Sequence, residues 1–420
     1  MQLPKISTVK PYVYIFLILF FVFNVLLSAV YSIKSQKLEG NVIQSLRILE
    51  KENKYLNLFP FVSENIYKCQ AFAFENYIDK VMIDKMVPHD MSLNPWQAAL
   101  DMNHYSRYWH GYCVIMRPLM IIFNYSQLRL LNIFLLTACT VVAAILLARA
   151  LSNQVSLAFL AAVIAVKSFI VPFCLSLSLM FYVFFVFLFI FIFMGKYINN
   201  PICESKYFSY YIFLLGGATS FIDLLTTPLL PVGMLIAIGC IWDYEKYSIL
   251  TRPWKIIQFF FIWATGYVGI WLAKWMVATI ILEKNIIYDA IKTVYFRVHG
   301  EVPKLNLKVD SFLALKHNLW CVISPFDAAQ SLLITLLFVL TLIFLLQKGL
   351  RSININFYKD YRLYWTLLLI GCTPFLWTLV IANHSQIHGW FTYRIYCITI
   401  FIILYIFLKN INSSSRKAVG

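Results

Sequence analysis

Glu75 and Asp79, in Glu-Asn-Tyr-Ile-Asp, stand four residues apart and so one helical turn apart on a shared face. Two carboxylates so placed suit a divalent cation, Mg or Mn, or supply one general base beside an orienting acid. A solvated face balanced by Lys80 and Lys85 uses the same spacing, and both readings stand. Basic residues form a second group. In Tyr105-Ser-Arg-Tyr-Trp-His-Gly-Tyr112 the aromatics fit an interfacial belt, which does not require Arg107 and His110, three apart. Arg117 and Arg129 fall at or inside apolar runs with no acid near them in sequence. Buried arginine is costly and takes an anionic partner, so a lipid phosphate is expected there; snorkelling to the surface is the alternative, easiest for Arg129.

Three further places carry polar residues among apolar ones. Asp223 interrupts two hydrophobic runs in Ser-Phe-Ile-Asp-Leu-Leu-Thr-Thr-Pro228, as an acid lining a polar cavity would. Lys274 lies about 25 Å along the run that starts at Ile257, by helical rise. It is placed to snorkel, to hold a phosphate or to pair with Asp223. In Asn383-His384-Ser-Gln-Ile-His388-Gly-Trp-Phe-Thr-Tyr-Arg394 the histidines have an i,i+4 spacing, but the Glu of a zinc HExxH motif is missing. Asn383, His384, His388 and Arg394 fit hydrogen bonding to hydroxyl-rich or phosphate groups better.

The elements that must hold these residues are membrane helices. With 61% apolar and 13% charged residues over 420, the composition excludes a soluble domain and a disordered chain. Continuous rather than alternating runs exclude a β-barrel. Runs at about 12–33, 112–124, 130–149, 155–172, 173–195, 208–224, 227–242, 257–282, 328–347, 363–382 and 395–409 predict an all-α polytopic bundle of 10–11 transmembrane segments. The whole chain, 1–420, reads as one integral membrane domain. Within a net charge of +16, the connections at 243–256 (Lys246, Arg252, Lys255) and 348–362 (Lys348, Arg351, Lys359, Arg362) and the tail carry basic residues, which makes these and both termini cytoplasmic. That pattern, with no basic run interleaved with aromatics, leaves no nucleic-acid partner.

Even parity then requires one run not to cross. The shortest, 112–124, contains Arg117-Pro118 and is the expected partial element; the 155–195 stretch, broken at Pro172, is the other choice. Two long loops, at about 34–111 and 283–327, fall outside and hold nine and five of the 19 acids. Residues 41–57 and 72–86 predict amphipathic helices in the first loop, lying on the membrane surface. All seven histidines fall in or beside outer connections, a pointer to an external site. The nine scattered cysteines form no disulfide framework and read as small buried apolar residues. No Walker A, GxGxxG or GxSxG pattern is present.

In its layout of anchor, acid-bearing outer loop and bundle of short spans, the chain resembles the membrane glycosyltransferases of the GT-C fold. Locally, Gly111-Tyr-Cys-Val-Ile-Met-Arg-Pro-Leu through Arg129-Leu-Leu-Asn is similar to the segment where those enzymes enter the membrane. The patterns ENYID, RYWHGY, TSFIDLLTTP, LAKW and NHSQIHGWFTYR also resemble a group of bacterial polytopic membrane proteins that offers no activity to carry over. The GT-C resemblance implies a polyprenyl-phosphate-sugar donor, a glycan or lipid acceptor, an external active site on the bacterial cytoplasmic membrane, and a loop carboxylate as base, often with a divalent metal. The acid that the family places soon after the anchor has its nearest match later, at Glu75 and Asp79. Arg107, His110, Arg117, Arg129 and Lys274 would hold the donor phosphate. A surface-polysaccharide polymerase or ligase, and a lipid or glycan transporter using an Asp223–Lys274 charge pair, are the alternatives.

Overall fold

Each long apolar run folds as helix, because a backbone inside hydrocarbon must satisfy its own polar groups. The structure, a computed structural model, describes residues 6–56, 70–198, 200–300, 309–323 and 357–415. These residues contain no β-strand. Six helical stretches are long and apolar enough to cross a membrane: Val9–Tyr31, Tyr125–Ala150, Leu175–Tyr197, Pro253–Leu282, Tyr361–Val380 and Gly389–Asn410. That is the signature of an integral membrane protein. The expected run at 328–347 lies outside the described residues.

In order, the helices are α1 (Ile6–Tyr31), α2 (Glu39–Lys51), α3 (Asn76–Asp84), α4 (Pro95–Asp101), α5 (Cys113–Met120) and α6 (Tyr125–Ala150). Then come α7 (Asn153–Ala165), α8 (Leu175–Tyr197), α9 (Lys206–Ile222), α10 (Leu229–Tyr247), α11 (Pro253–Leu282) and α12 (Ile286–His299). The last are α13 (Ser311–Ile323), α14 (Phe357–Gly371), α15 (Thr373–Val380), α16 (Ala382–Ile387), α17 (Gly389–Thr392) and α18 (Cys397–Ser415). The 112–124 run yields only the eight residues of α5, about 12 Å of rise, too short to cross. The 155–195 stretch breaks where Pro172 sits, in a 3-10 turn over Val171–Phe173. In the first loop the two expected amphipathic helices shorten to α2 and α3. The latter buries Asn76, Asp79 and Ile83, a stripe at helical spacing.

The tightest pairing is α9 on α11. A Cβ at Gly216 would run into the Trp263 carbonyl, and one at Gly266 into the Phe213 carbonyl, so the two glycines let the backbones touch. Around this pair α1, the first loop and α5 share one hydrophobic core with Phe221 and Ile270. A larger core joins α6 to α11 with α14, α17 and α18. Eight described cysteines are free and six are buried; Cys372 is exposed, against expectation.

Candidate functional site

Several of the expected site residues are placed by helix ends. Arg117 donates through Nε to the Val30 carbonyl at 3.0 Å, through Nη2 to that of Ile33 at 2.9 Å, and through Nη1 to that of Met86. Its guanidinium lies 4.2 Å over the Tyr31 ring. It therefore caps the open carbonyls where α1 ends. Lys274 does the same for α4, donating to the carbonyls of Leu100 at 3.0 Å and Ala99 at 3.3 Å. It does not pair with Asp223, which corrects one expected option. Arg129 corrects another: it has an acid, Glu52, bound by both terminal nitrogens at 2.7 Å. Sequence proximity hid this pair because 77 residues separate the two.

Asp79 belongs to the same network. Its carboxylate accepts from the Tyr125 hydroxyl at 2.6 Å and from the backbone N–H groups of Leu175 and Ser176, each at 2.8 Å. Leu175 and Ser176 are the first residues of α8, so an anion from the loop sits on the positive end of a membrane helix. Glu75 points elsewhere. Its Oε2 accepts from Trp390 Nε1 at 2.5 Å. Burial, with the Asp79 charge adding to it, pushes the Glu75 carboxyl up to about 8. The two acids are thus bound to protein donors instead of converging on a cation. Among the described residues no three His, Cys, Asp or Glu side chains come together. Among the described residues the set does not fit the expected Mg or Mn.

His110 is also enclosed. Its Nε2–H donates to the Tyr105 carbonyl at 3.1 Å and its Nδ1 accepts from Tyr112 Oη at 2.9 Å, which fixes a neutral ring. Burial pushes its pKa down to about 3. Trp109 Nε1 to the Ile270 carbonyl, 2.9 Å, and Trp275 Nε1 to the Arg107 carbonyl, 2.8 Å, fasten this stretch to α11. Arg107 consequently faces a cavity, with one terminal nitrogen 2.8 Å from Asp289 on α12.

That cavity, of about 220 Å³, lies between α11, α12 and α15. One wall is an aromatic ladder on α11, Trp263, Tyr267, Trp271 and Trp275, four residues apart, with successive ring centroids 5.1, 5.3 and 5.5 Å apart. The opposite wall is the α12 face Ala290, Thr293, Val294 and Arg297. Arg297 is the residue that sequence reading missed. One terminal nitrogen donates to His384 Nδ1 at 2.8 Å and to His388 Nε2 at 3.1 Å. His384 Nε2–H in turn donates to the Leu225 carbonyl at 2.8 Å. Both imidazoles are neutral acceptors toward the guanidinium; burial first and then the Arg297 charge push His388 down to about 3.

Asp223 holds this cradle together. It accepts from Tyr267 Oη at 2.9 Å and from the Thr226 N–H at 3.0 Å, closing the turn that presents Leu225. Leu225 takes φ 62°, a left-handed value that a leucine adopts only under constraint. Asn383 Nδ2 donates to the Phe296 carbonyl, which ties α16 to the α12 end carrying Arg297. Arg394 is buried beside Trp390, donating Nη1 to its carbonyl at 2.9 Å.

Four N–H groups on residues lining the cavity have no acceptor among the described residues: Arg107 Nε, Arg297 Nε, Trp263 Nε1 and Trp271 Nε1. A ligand with acceptor atoms, or ordered water, would answer these donors. No carboxylate among the described residues pairs with Arg297. The arrangement is therefore an apolar, aromatic slot whose lining includes two cations and four donors with no acceptor among the described residues. It is suited to an anionic headgroup carried on an apolar chain. Comparison of the chain with protein-family models, with curated proteins and with solved structures finds no match.

Proposed function

We propose that the chain is a GT-C-type membrane glycosyltransferase that moves a sugar from a polyprenyl-phosphate donor to a cell-surface glycan or lipid acceptor. The observation that carries this reading is Arg297, a cation whose hydrogen-bond partners among the described residues are neutral imidazoles, lining an aromatic slot with four donors that have no acceptor among those residues. The isoprenyl tail lies along the α11 ladder and the phosphate takes Arg297 and Arg107. Glu75 is the base, and a single indole, Trp390, stands between it and His388, with ring centroids 5.1 Å apart. The acceptor hydroxyl oxygen forms a bond to the anomeric carbon as that carbon's bond to the phosphate oxygen breaks. The hydroxyl proton passes to Glu75, and the polyprenyl phosphate leaves onto the two arginines. Asp79, Arg117, Arg129, His110 and Lys274 position the loop, and Asp223 positions the Arg297 cradle.

In this reading an even number of the apolar runs crosses the membrane, as two termini on one side require. Both termini then lie on the cytoplasmic side of a bacterial plasma membrane and the slot on the other. The test is binding of a long-chain isoprenyl monophosphate to the full chain in nanodiscs of neutral lipid. Saturable binding, weakened about 10- to 100-fold by Arg297→Gln, is expected, since hydrogen bonds to a charged group contribute about 1.5–3 kcal/mol. Equal binding of the uncharged isoprenol, or no effect of the substitution, would overturn the reading.

A further inference from the structure

A second, polar groove opens between α2 and α3, with a volume of about 830 Å³. Its walls are joined. The Tyr77 N–H donates to the Lys54 carbonyl at 3.2 Å, Asn76 Nδ2 to the Asn53 carbonyl at 3.0 Å, and Lys80 pairs with Glu50 at 2.7 Å. Two tyrosines, Tyr55 and Tyr77, are each 45% exposed along it. Among the described residues the charged lining is Glu50 and Asp84 against Lys54 and Lys80, which has no net sign. Asp84 is already bound by Lys85 at 2.9 Å and His89 at 3.0 Å. Among the described lining residues an anionic headgroup or a nucleic acid finds no excess of cations, and an apolar helix finds too many polar groups.

We infer that the groove between α2 and α3 binds the acceptor as a neutral oligosaccharide strand, with Tyr55 and Tyr77 as stacking platforms. A sugar ring has an apolar C–H face and a rim of hydroxyls. The groove matches it with exposed phenol rings and with amide, ammonium and carboxylate groups that both donate and accept. Its position fits as well. The Tyr55 ring meets the Trp390 indole edge-on, centroids 5.4 Å apart, and that same indole holds Glu75. A strand lying in the groove therefore ends where the base begins, and the same indole meets His388, the partner of the slot's Arg297, with ring centroids 5.1 Å apart.

The inference rests on the glycosyltransferase reading for its purpose, yet it is tested without the donor. The full chain in nanodiscs of neutral lipid is screened against an array of neutral oligosaccharides of two to six sugars. Affinity is expected to rise with length and to fall about tenfold in Tyr77→Ala and in Tyr55→Ala, both exposed positions. Arg297→Gln is expected to leave this binding unchanged. Failure of every array member to bind would overturn the inference; so would wild-type affinity in both tyrosine variants, or displacement by anionic vesicles. Oligosaccharide binding without isoprenyl-phosphate binding would sink the donor assignment and leave the groove standing; the reverse would sink the groove alone.

Discussion

Asp79→Asn and Glu75→Gln separate an anchor from a base, although the two residues are one turn apart. Asp79 accepts three hydrogen bonds, two of them from the first N–H groups of α8. Asparagine keeps one acceptor oxygen and turns an NH2 toward a backbone N–H, of Leu175 or of Ser176, that only donates. The loss combines at least one charge-assisted hydrogen bond, about 1.5–3 kcal/mol, with the favourable charge at the helix N-terminus, about 0.3–1 kcal/mol. A destabilisation of about 2–4 kcal/mol follows. Glu75 is different, because a carboxyl pushed up to about 8 is mostly protonated at pH 7 and glutamine imitates it. Its oxygen still accepts from Trp390, so stability should change by less than about 1 kcal/mol. A thiol-reactive dye reads unfolding, since Cys113, Cys174, Cys203, Cys240, Cys321 and Cys397 are buried. Turnover is then measured per folded molecule with a polyprenyl-phosphate-linked sugar. The expected pattern is a lower unfolding temperature with turnover within tenfold of wild type for Asp79→Asn. For Glu75→Gln it is wild-type stability with turnover lowered about 10²- to 10⁴-fold. A stable, inactive Asp79→Asn beside an active Glu75→Gln would refute the assignment.

Transfer should increase from pH 7 to 9 as Glu75 deprotonates around 8, measured as initial rate against pH and flattened in Glu75→Gln. Stability carries the opposite sign: the native state binds the extra proton, so the Glu75 contribution is present below its ordinary carboxyl range and lost as pH rises through about 8. His388, pushed down to about 3, contributes stability that is lost as pH falls from its ordinary 6.5 toward 3. His388→Gln should therefore flatten the acid limb of a plot of unfolding temperature against pH. Arg117→Met leaves the Ile33 and Met86 carbonyls without their donor, at about 1–3 kcal/mol for each that stays buried, and takes one of two donors from Val30, so folded yield by size-exclusion chromatography should collapse. A wild-type elution profile would remove Arg117 from the role of cap.

The helical runs, the break at Pro172 and the failure of 112–124 to form a spanning helix were all legible, because hydrophobic length and proline act locally. Partners of the buried charges were not. The sequence reading looked for acids or phosphates beside Arg117 and Lys274, whereas helix C-termini supply acceptors that no residue type advertises. Arg129 has its acid, but 77 residues away. Arg297 had a signal that went unused: the four-residue aromatic spacing from Trp263 to Trp275, together with the face Ala290, Thr293, Val294 and Arg297. Each reads as ordinary membrane helix alone; only their apposition makes a slot.

The Asp79 contact has a consequence for biosynthesis. The N–H groups it needs lie 96 and 97 residues further along the chain. At synthesis rates of roughly 5–20 residues per second, the loop carboxylate waits about 5–20 s before α8 emerges to receive it. Glu75 waits longer, since Trp390 follows 315 residues later. Until then the first loop holds acids whose burial has no recompense, and it stays open to chaperones and proteases. A ribosome that stalls before Trp390 leaves a chain whose first loop is still unfastened, and a quality-control protease can tell it from the finished protein by that loop alone.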